Sequence, residues 1–154
     1  MRARGPLRAL TAACLAAGLL VGGPLHAAAL QVSPVGLSLP GDRPAQALTL
    51  SNTGHTPVHA QVRVFAWHQA GGADQLEPAR DVVISPPMLE IPPGGNQLVR
   101  VIRTGPAPQA QEASYRLLVD ELPVPGAAPA PAGGLRFVLR YSIPVFAQPA
   151  GTGP

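Results

Sequence analysis

The sequence predicts an all-β protein folded as a single β-sandwich domain, and three observations carry that prediction. Short stretches that alternate apolar and polar residues recur along the chain, as half-buried strands do. Turn residues, many of them among the 20 prolines and 17 glycines, separate these stretches. No stretch beyond residue 29 shows the apolar period of an amphipathic helix. The pattern favours a sandwich of about seven strands.

The first predicted strands are defined by alternation and by the turns between them. In residues 30–39 the apolar residues alternate, but the phase slips at Ser33-Pro34, which indicates a bulged or edge strand. A turn at 40–42 precedes an alternating strand at 45–51, which ends at an Asn-Thr-Gly turn. Residues 58–67 again alternate and predict a strand.

The middle of the chain contains shorter strands. Residues 70–80 are rich in glycine and charge and are predicted to form a loop. Short apolar strands are predicted at 82–84 and 88–91, each ended by a pair of prolines, and a longer alternating strand at 96–103.

Two long strands close the predicted fold. Residues 114–122 place aromatic and branched residues on one face, and 135–146 form the longest predicted strand. A segment rich in proline, alanine and glycine, residues 124–134, connects the two.

The first 29 residues have the composition of a secretory signal peptide. Three arginines occur within the first eight residues, residues 9–21 are apolar, and small residues precede a predicted cleavage after Ala29. An uncleaved membrane anchor is the alternative. The only cysteine, Cys14, lies in this segment, so no disulfide is expected in the mature chain.

The charge balance argues against several functions. The formal net charge is +3, but three of the eleven arginines lie in the predicted signal peptide, which leaves eight basic and eight acidic residues. A near-neutral mature chain gives no reason to expect nucleic-acid binding. The sequence contains no lysine, which excludes Schiff-base chemistry and a phosphate-loop lysine.

Catalytic and metal-binding patterns are weak. His55, His59 and His68 lack a ligand spacing, and no cysteine supports them. Asp120 and Glu121 are adjacent in a predicted strand, so they point to opposite faces and cannot act together on one substrate. We therefore predict no enzyme, no catalytic residue, no metal site and no cofactor.

Three stretches, in order, resemble the N-terminal domain of PapD-like periplasmic pilus chaperones. They are ISPPMLEIPPGGNQLVRVIR at 84–103, SYRLLVDELP at 114–123 and RYSIPVFAQP at 140–149. The resemblance covers residues 30–149, and its IPVF ending is similar to the archaic chaperones associated with spore-coat-protein-U-type subunits. It implies an immunoglobulin-like, seven-stranded sandwich in the periplasm that acts as a chaperone without ATP.

The resemblance also implies a mechanism, donor-strand complementation. In the family, the G1 strand pairs with an incomplete pilus subunit and lends it alternating apolar side chains. The matching strand here carries its large apolar residues on one face: Leu135, Phe137, Leu139, Tyr141 and Ile143. The alternative is that this face packs on the chain's own core. An outer-membrane usher is the second implied partner, and the strand's edge could also form a homodimer.

The chain departs from the family pattern at the carboxylate anchor. In the best-known members a basic pair holds the C-terminal carboxylate of the subunit, and the matching positions here, near Gly36 and at Pro144, are not basic. We expect another arginine to take this role, because a carboxylate needs a charged or forked donor. The candidates, in order of preference, are Arg116, Arg103, Arg100 and Arg140.

The second departure concerns length. Family members normally carry a second domain of similar size, whereas residues 150–154 read as a tail, the stub of a linker. We expect one domain at 30–149 that acts as a one-domain chaperone. A truncated chaperone without activity and a structural or adhesive envelope protein are the alternatives. The sequence identifies neither the bound subunit nor a second chain that would supply the missing domain.

Overall fold

The computed structural model describes residues 29–123 and 138–151, which form ten β-strands and no helix. The strands, in chain order, are β1 (Leu30–Ser33), β2 (Leu37–Leu39), β3 (Ala45–Asn52), β4 (Val58–Ala70), β5 (Ala73–Pro78), β6 (Val82–Ser85), β7 (Met88–Ile91), β8 (Asn96–Arg103), β9 (Ala113–Leu122) and β10 (Arg140–Ala147).

The strands form two sheets, which confirms the predicted all-β sandwich. The four-stranded sheet has the order β1-β3-β8-β6. The six-stranded sheet has the order β2-β10-β9-β4-β5, and β7 pairs with β4 on the same side as β5. Only β2 and β10 run parallel among the strand pairs of the described residues.

The core lies between the two sheets and is built from alternate residues of each strand, because successive side chains of a strand point to opposite faces. Both sheets contribute large side chains that are fully buried: Leu30, Leu39, Leu48, Leu50, Ile91, Leu117, Val62, Val82, Val99, Val101, Val119 and Val145. The remaining face of the six-stranded sheet, which we call the outer face, carries the alternate residues of β4, β9 and β10.

The first predicted strand is two strands that belong to different sheets. β1 pairs with β3 in the four-stranded sheet, and β2 pairs with β10 in the six-stranded sheet. The chain crosses between the sheets at 34–36, and the Ser33–Pro34 peptide bond is cis. The phase slip seen in the sequence therefore marks a change of sheet and not a bulge.

The predicted loop at 70–80 is wrong, because β5 forms there. β4 and β5 are joined by the two-residue turn Gly71-Gly72, whose φ angles of 61° and 79° favour glycine at both positions. All six residues of β5 are exposed, so its sequence shows no apolar alternation. Since β9 pairs with β4 only as far as Ala66, the end of this hairpin extends beyond the sheet.

The predicted Asn-Thr-Gly turn is present and is held by the buried side chain of Asn52. Its Nδ2 donates to the carbonyl oxygens of Thr56 (2.8 Å) and Ile91 (3.0 Å), and its Oδ1 accepts from the Gly54 N–H (2.9 Å). A buried amide with its donors and acceptor satisfied stabilises the turn.

The N-terminal end of the described chain lies against this turn. The carbonyl oxygen of Ala29 accepts hydrogen bonds from the backbone N–H of Thr53 (2.8 Å) and from its hydroxyl (3.2 Å). The predicted signal peptide lies outside the described residues except for Ala29, so its cleavage position stays a prediction. Within 29–123 and 138–151, no helix has the length and apolar character needed to cross a membrane.

Candidate functional site

The C-terminal strand, β10, is covered on only part of one edge. On one side all eight of its residues pair with β9. On the other side β2 pairs only with residues 145–147. No strand of the described residues pairs with this side of Arg140–Pro144, which we call the open edge.

The hydrogen-bonding pattern shows which backbone groups face β9. The Glu121 N–H donates to the Leu139 carbonyl oxygen at 2.9 Å. These two residues continue the β9–β10 register, so they form a hydrogen-bonded pair. Because such pairs alternate with non-bonded pairs, Tyr141 and Ile143 also direct their N–H and C=O groups to β9.

The intervening residues of β10 direct their backbone groups the other way. By the same alternation, the N–H and C=O of Arg140 and Ser142 point to the open edge. Further along the chain, the N–H of Gln148 donates to the Leu39 carbonyl oxygen at 2.9 Å, which confirms that even-numbered positions face away from β9. The open edge therefore presents unpaired donors and acceptors to a partner strand.

Pro144 lies where the open edge meets β2. Its position is one whose N–H would point away from β9, so the absence of that N–H costs the β9 ladder nothing. A Cβ placed on Gly36 would lie 3.8 Å from Pro144 Cγ. The two positions matched to the family's basic pair are thus neighbours in space, and neither carries a charge.

The predicted apolar face of β10 is shared with the chain's own core. Ile143 is only 2% exposed and belongs to the core. Tyr141 and Leu139 are half-buried against the core, and the Tyr141 hydroxyl donates to the Leu30 carbonyl oxygen at 2.5 Å. Leu135 and Phe137 lie outside the described residues. The assignment of this face to a pilus subunit stays a prediction.

Arg103, the second candidate anchor, is occupied by its own chain. It is 7% exposed, and its guanidinium donates to the carbonyl oxygens of Pro40, Gly41 and Gly105 at 2.9–3.3 Å. These bonds tie β8 to the turn between β2 and β3, which is a structural role.

Arg100, the third candidate, is separated from Arg116 and Arg140 by the thickness of the sandwich. It is exposed on β8 and alternates with the buried Val99 and Val101, so it lies on the solvent face of the four-stranded sheet. It is therefore remote from the outer face and the open edge.

Arg140, the fourth candidate, is held in an ion-pair network on the outer face. Its Nε donates to Asp120 Oδ1, and Arg63 Nη2 donates to Asp120 Oδ2 at 2.6 Å. Burial raises the pKa of Asp120, but the hydrogen bonds from the two arginines lower the pKa by more, so it stays below its usual value. This network fixes the start of β10 to β9 and β4.

Arg116, the first candidate, lies on the outer face beside the open edge. It is the register partner of Pro144. Its Cζ is 3.9 Å from the centroid of the Trp67 ring, a cation–π contact. Among the described residues, no carboxylate forms an ion pair with Arg116 and no acceptor receives a hydrogen bond from it.

The structure therefore separates the four arginines that the sequence grouped together. Only Arg116 and Arg140 share the outer face. Sequence reasoning missed Trp67 and Arg63 as members of this surface, because the contacts join strands that are distant along the chain. No group of three histidine, cysteine or acidic residues suited to a metal occurs among 29–123 and 138–151.

The fold defines the class of protein: an immunoglobulin-like β-sandwich domain whose C-terminal strand is partly open. The sequence matches the family model for pili and flagellar-assembly chaperones, PapD N-terminal domain, over residues 29–153. The chain therefore belongs to this family of chaperones and is not an enzyme. No curated protein matches its sequence.

Solved structures have the same fold. A chain of the CsuC–CsuE chaperone–tip adhesion subunit complex, from the archaic Csu pili of Acinetobacter baumannii, is 35% identical, with a TM-score of 0.71 over 82% of this chain and 54% of that one. The E. coli chaperone DraB is 19% identical, with a TM-score of 0.62 over 81% of this chain and 57% of DraB. A chain of the Salmonella enterica SafA pilin–SafB chaperone complex is 19% identical, with a TM-score of 0.63 over 81% of this chain and 56% of that one. The chain spans little more than half the length of these chains.

Proposed function

We propose that this domain is a periplasmic chaperone for pilus subunits that acts by donor-strand complementation, with β10 as the donor. The observation that supports this most strongly is the open edge at Arg140–Pro144, where the backbone groups of Arg140 and Ser142 face outward. A subunit strand would pair with this edge, so that backbone hydrogen bonds give affinity and alternate side chains give register.

The side chains proposed to enter the subunit come earlier in the sequence than the residues of β10 that pack in the domain's own core. Ile143 is committed to that core, so its contribution to binding is small. Tyr141 lies at the boundary between the core part of β10 and the proposed donor part. Leu139 has the same parity and immediately precedes the first residue of β10. By sequence alternation Phe137 and Leu135 share the parity of Leu139, and these three are proposed to fill the subunit groove.

Arg116 is proposed as the anchor for the C-terminal carboxylate of the subunit. It lies on the strand next to Pro144, on the outer face, beside the position where the family carries a basic residue. Arg103 and Arg140 already donate to other groups, and Arg100 lies on the opposite sheet. The unpaired guanidinium of Arg116 supports its assignment to this role.

The proposed setting follows from the family and the N-terminal pattern. The signal peptide predicted at residues 1–29 would direct the chain to the periplasm, where subunits and an outer-membrane usher are the proposed partners. Without a subunit, two copies could pair through the open edges of β10, since unpaired strand edges favour association.

Co-expression with a candidate spore-coat-protein-U-type subunit tests the proposal. We expect the wild-type chain to co-purify with the subunit from the periplasm and the Phe137→Asp/Leu139→Asp variant to lose it. Val138→Asp is the matched control, because Val138 is 57% exposed and has the opposite parity, so binding should survive. A folded wild-type domain that captures no subunit would contradict the proposal and favour a structural protein or an inactive chaperone.

A further inference from the structure

The Arg116 side chain is placed on the outer face by an aromatic ring from β4. Trp67 lies just past Ala66, where the pairing of β4 with β9 ends, so it belongs to the part of the β4–β5 hairpin that extends beyond β9. There it is paired with Leu76 of β5, which is exposed. The Arg116 guanidinium covers the indole at 3.9 Å and links the hairpin to β9.

Stacking leaves the hydrogen-bonding capacity of Arg116 intact. The five N–H donors of a guanidinium lie in its plane, whereas a ring contact uses only its face. No acceptor among the described residues receives a hydrogen bond from these donors. The group is therefore held in place and remains able to donate a forked pair of hydrogen bonds.

A second arginine on the same face shows the contrasting arrangement. Arg63 Cζ is 5.6 Å from the Phe65 ring centroid, and its Nη2 is bonded to Asp120. Its charge is thus compensated within the domain. Arg116 differs in having a closer ring and no carboxylate within ion-pair distance among the described residues.

We infer that Trp67 is a positioning residue for carboxylate recognition, which holds the Arg116 guanidinium so that its edge accepts the terminal carboxylate of the bound subunit. The inference rests on the proposed function. A free arginine loses side-chain freedom when it binds, and a stacked arginine has lost part of it beforehand, so the stack favours binding. The stack is present before and after binding, so its removal costs only this prior ordering of the side chain, roughly 2- to 12-fold in affinity.

The test measures the affinity of the full chain for a spore-coat-protein-U-type subunit in two forms, one with its native C-terminal carboxylate and one amidated there. We expect Trp67→Leu to weaken binding of the native form by roughly 2- to 12-fold and to leave binding of the amidated form unchanged. Trp67→Phe should restore most of the affinity. Phe65→Leu is the control: Phe65 is the register partner of Arg116, but its ring contacts Arg63, so this variant removes a neighbouring ring without removing the stack.

A double-mutant cycle separates positioning from general stability. In an Arg116→Gln background, Trp67→Leu should have no further effect on binding. Equal weakening of both subunit forms, or a full additional loss in the Arg116→Gln background, would overturn the inference. If Trp67→Leu fails to fold, Arg116→Lys takes its place, because lysine keeps the charge but lacks the planar guanidinium that stacks on the ring; binding of both subunit forms by Arg116→Lys as by the wild type would overturn the inference.

The outcomes also distinguish this inference from the proposed function. If the wild-type chain binds both subunit forms equally, the carboxylate anchor and the role of Trp67 both fail, while strand donation stands. If it binds neither form, the proposed function falls and the inference falls with it.

Discussion

Arg116 and Pro144 lie directly opposite each other on β9 and β10, at the point where β2 begins to cover the edge of β10. Gly36 lies against Pro144 on its other side. Arg116 therefore lies one strand further into the sheet than Pro144, on the outer face. This position is the basis for proposing Arg116 as the carboxylate anchor in a chain whose Gly36 and Pro144 are uncharged.

Replacement of Arg116 should weaken subunit binding without affecting folding. We expect Arg116→Gln to lower the affinity by at least about tenfold, because a hydrogen bond between charged groups contributes about 1.5–3 kcal/mol. Arg100→Gln, on the opposite sheet, should bind as the wild type does. Titration of the purified variants with the subunit measures both, and equal losses in the two variants would contradict the assignment.

Ser142→Pro tests the direction of the backbone groups. Its N–H points to the open edge, so proline should leave the β9 ladder intact, as Pro144 does, and remove one donor from a partner strand. Binding should weaken by roughly 2- to 10-fold, the share of one net hydrogen bond. Ile143→Pro removes a donor to β9 and should destabilise the domain itself. Chemical denaturation and subunit titration together distinguish the two variants.

Leu139 and Ile143 should separate binding from stability. Ile143→Ala removes a buried side chain and should lower the free energy of unfolding by about 2–5 kcal/mol. Leu139→Ala should cost less stability, because Leu139 is only half-buried, and more binding. Urea unfolding and subunit affinity are measured on each variant. A larger stability loss for Leu139→Ala than for Ile143→Ala would contradict the division of β10 into donor and core parts.

The alternation in β10 was predictable from the sequence, but the point where its core part begins was not. Leu139, Tyr141 and Ile143 have the same parity, and the structure places them on one face. How far the domain's own core extends along this strand depends on β1, whose Leu30 carbonyl accepts the Tyr141 hydroxyl. That contact joins opposite ends of the chain, and no local pattern reports it.

The errors in the predicted fold also arise because local patterns do not report pairing between strands. β5 was missed because its residues are all exposed, so it forms by backbone pairing with β4 and the Gly71-Gly72 turn rather than by burial. Residues 30–39 were predicted as one strand because alternation describes a strand's faces and not the sheet to which it belongs. The sequence placed Arg116 first among the four candidate arginines but could not show which of them share a face, since that depends on the order of strands in the sheets.

Asp120 should make the stability of the domain depend on acid pH. Burial raises its pKa, and hydrogen bonds from Arg140 and Arg63 lower it by more, so the folded pKa lies below the unfolded value of about 3.9. A carboxyl with a lowered pKa stabilises the fold above about pH 4, and this contribution is lost as the pH falls through the folded pKa. The free energy of unfolding should therefore decrease as the pH drops below about 4.

Asp120→Asn isolates that contribution. At pH 7 we expect a loss of about 1.5–3 kcal/mol in the free energy of unfolding, since two charged donors lose their partner. The difference from the wild type should shrink as the pH falls below 4. Asp74→Asn is the control, because Asp74 is exposed on β5 and its main partner is the neutral Gln69. A difference that stays constant from pH 7 to pH 2 would contradict the assigned role.

The most direct test of strand donation is amide hydrogen exchange of the domain alone and in complex with a subunit. We expect the amides of Arg140 and Ser142 to exchange readily in the free domain and to become protected in the complex, and the amides of Tyr141 and Ile143 to be protected in both. Formation of a stable complex in which Arg140 and Ser142 gain no protection would contradict strand donation.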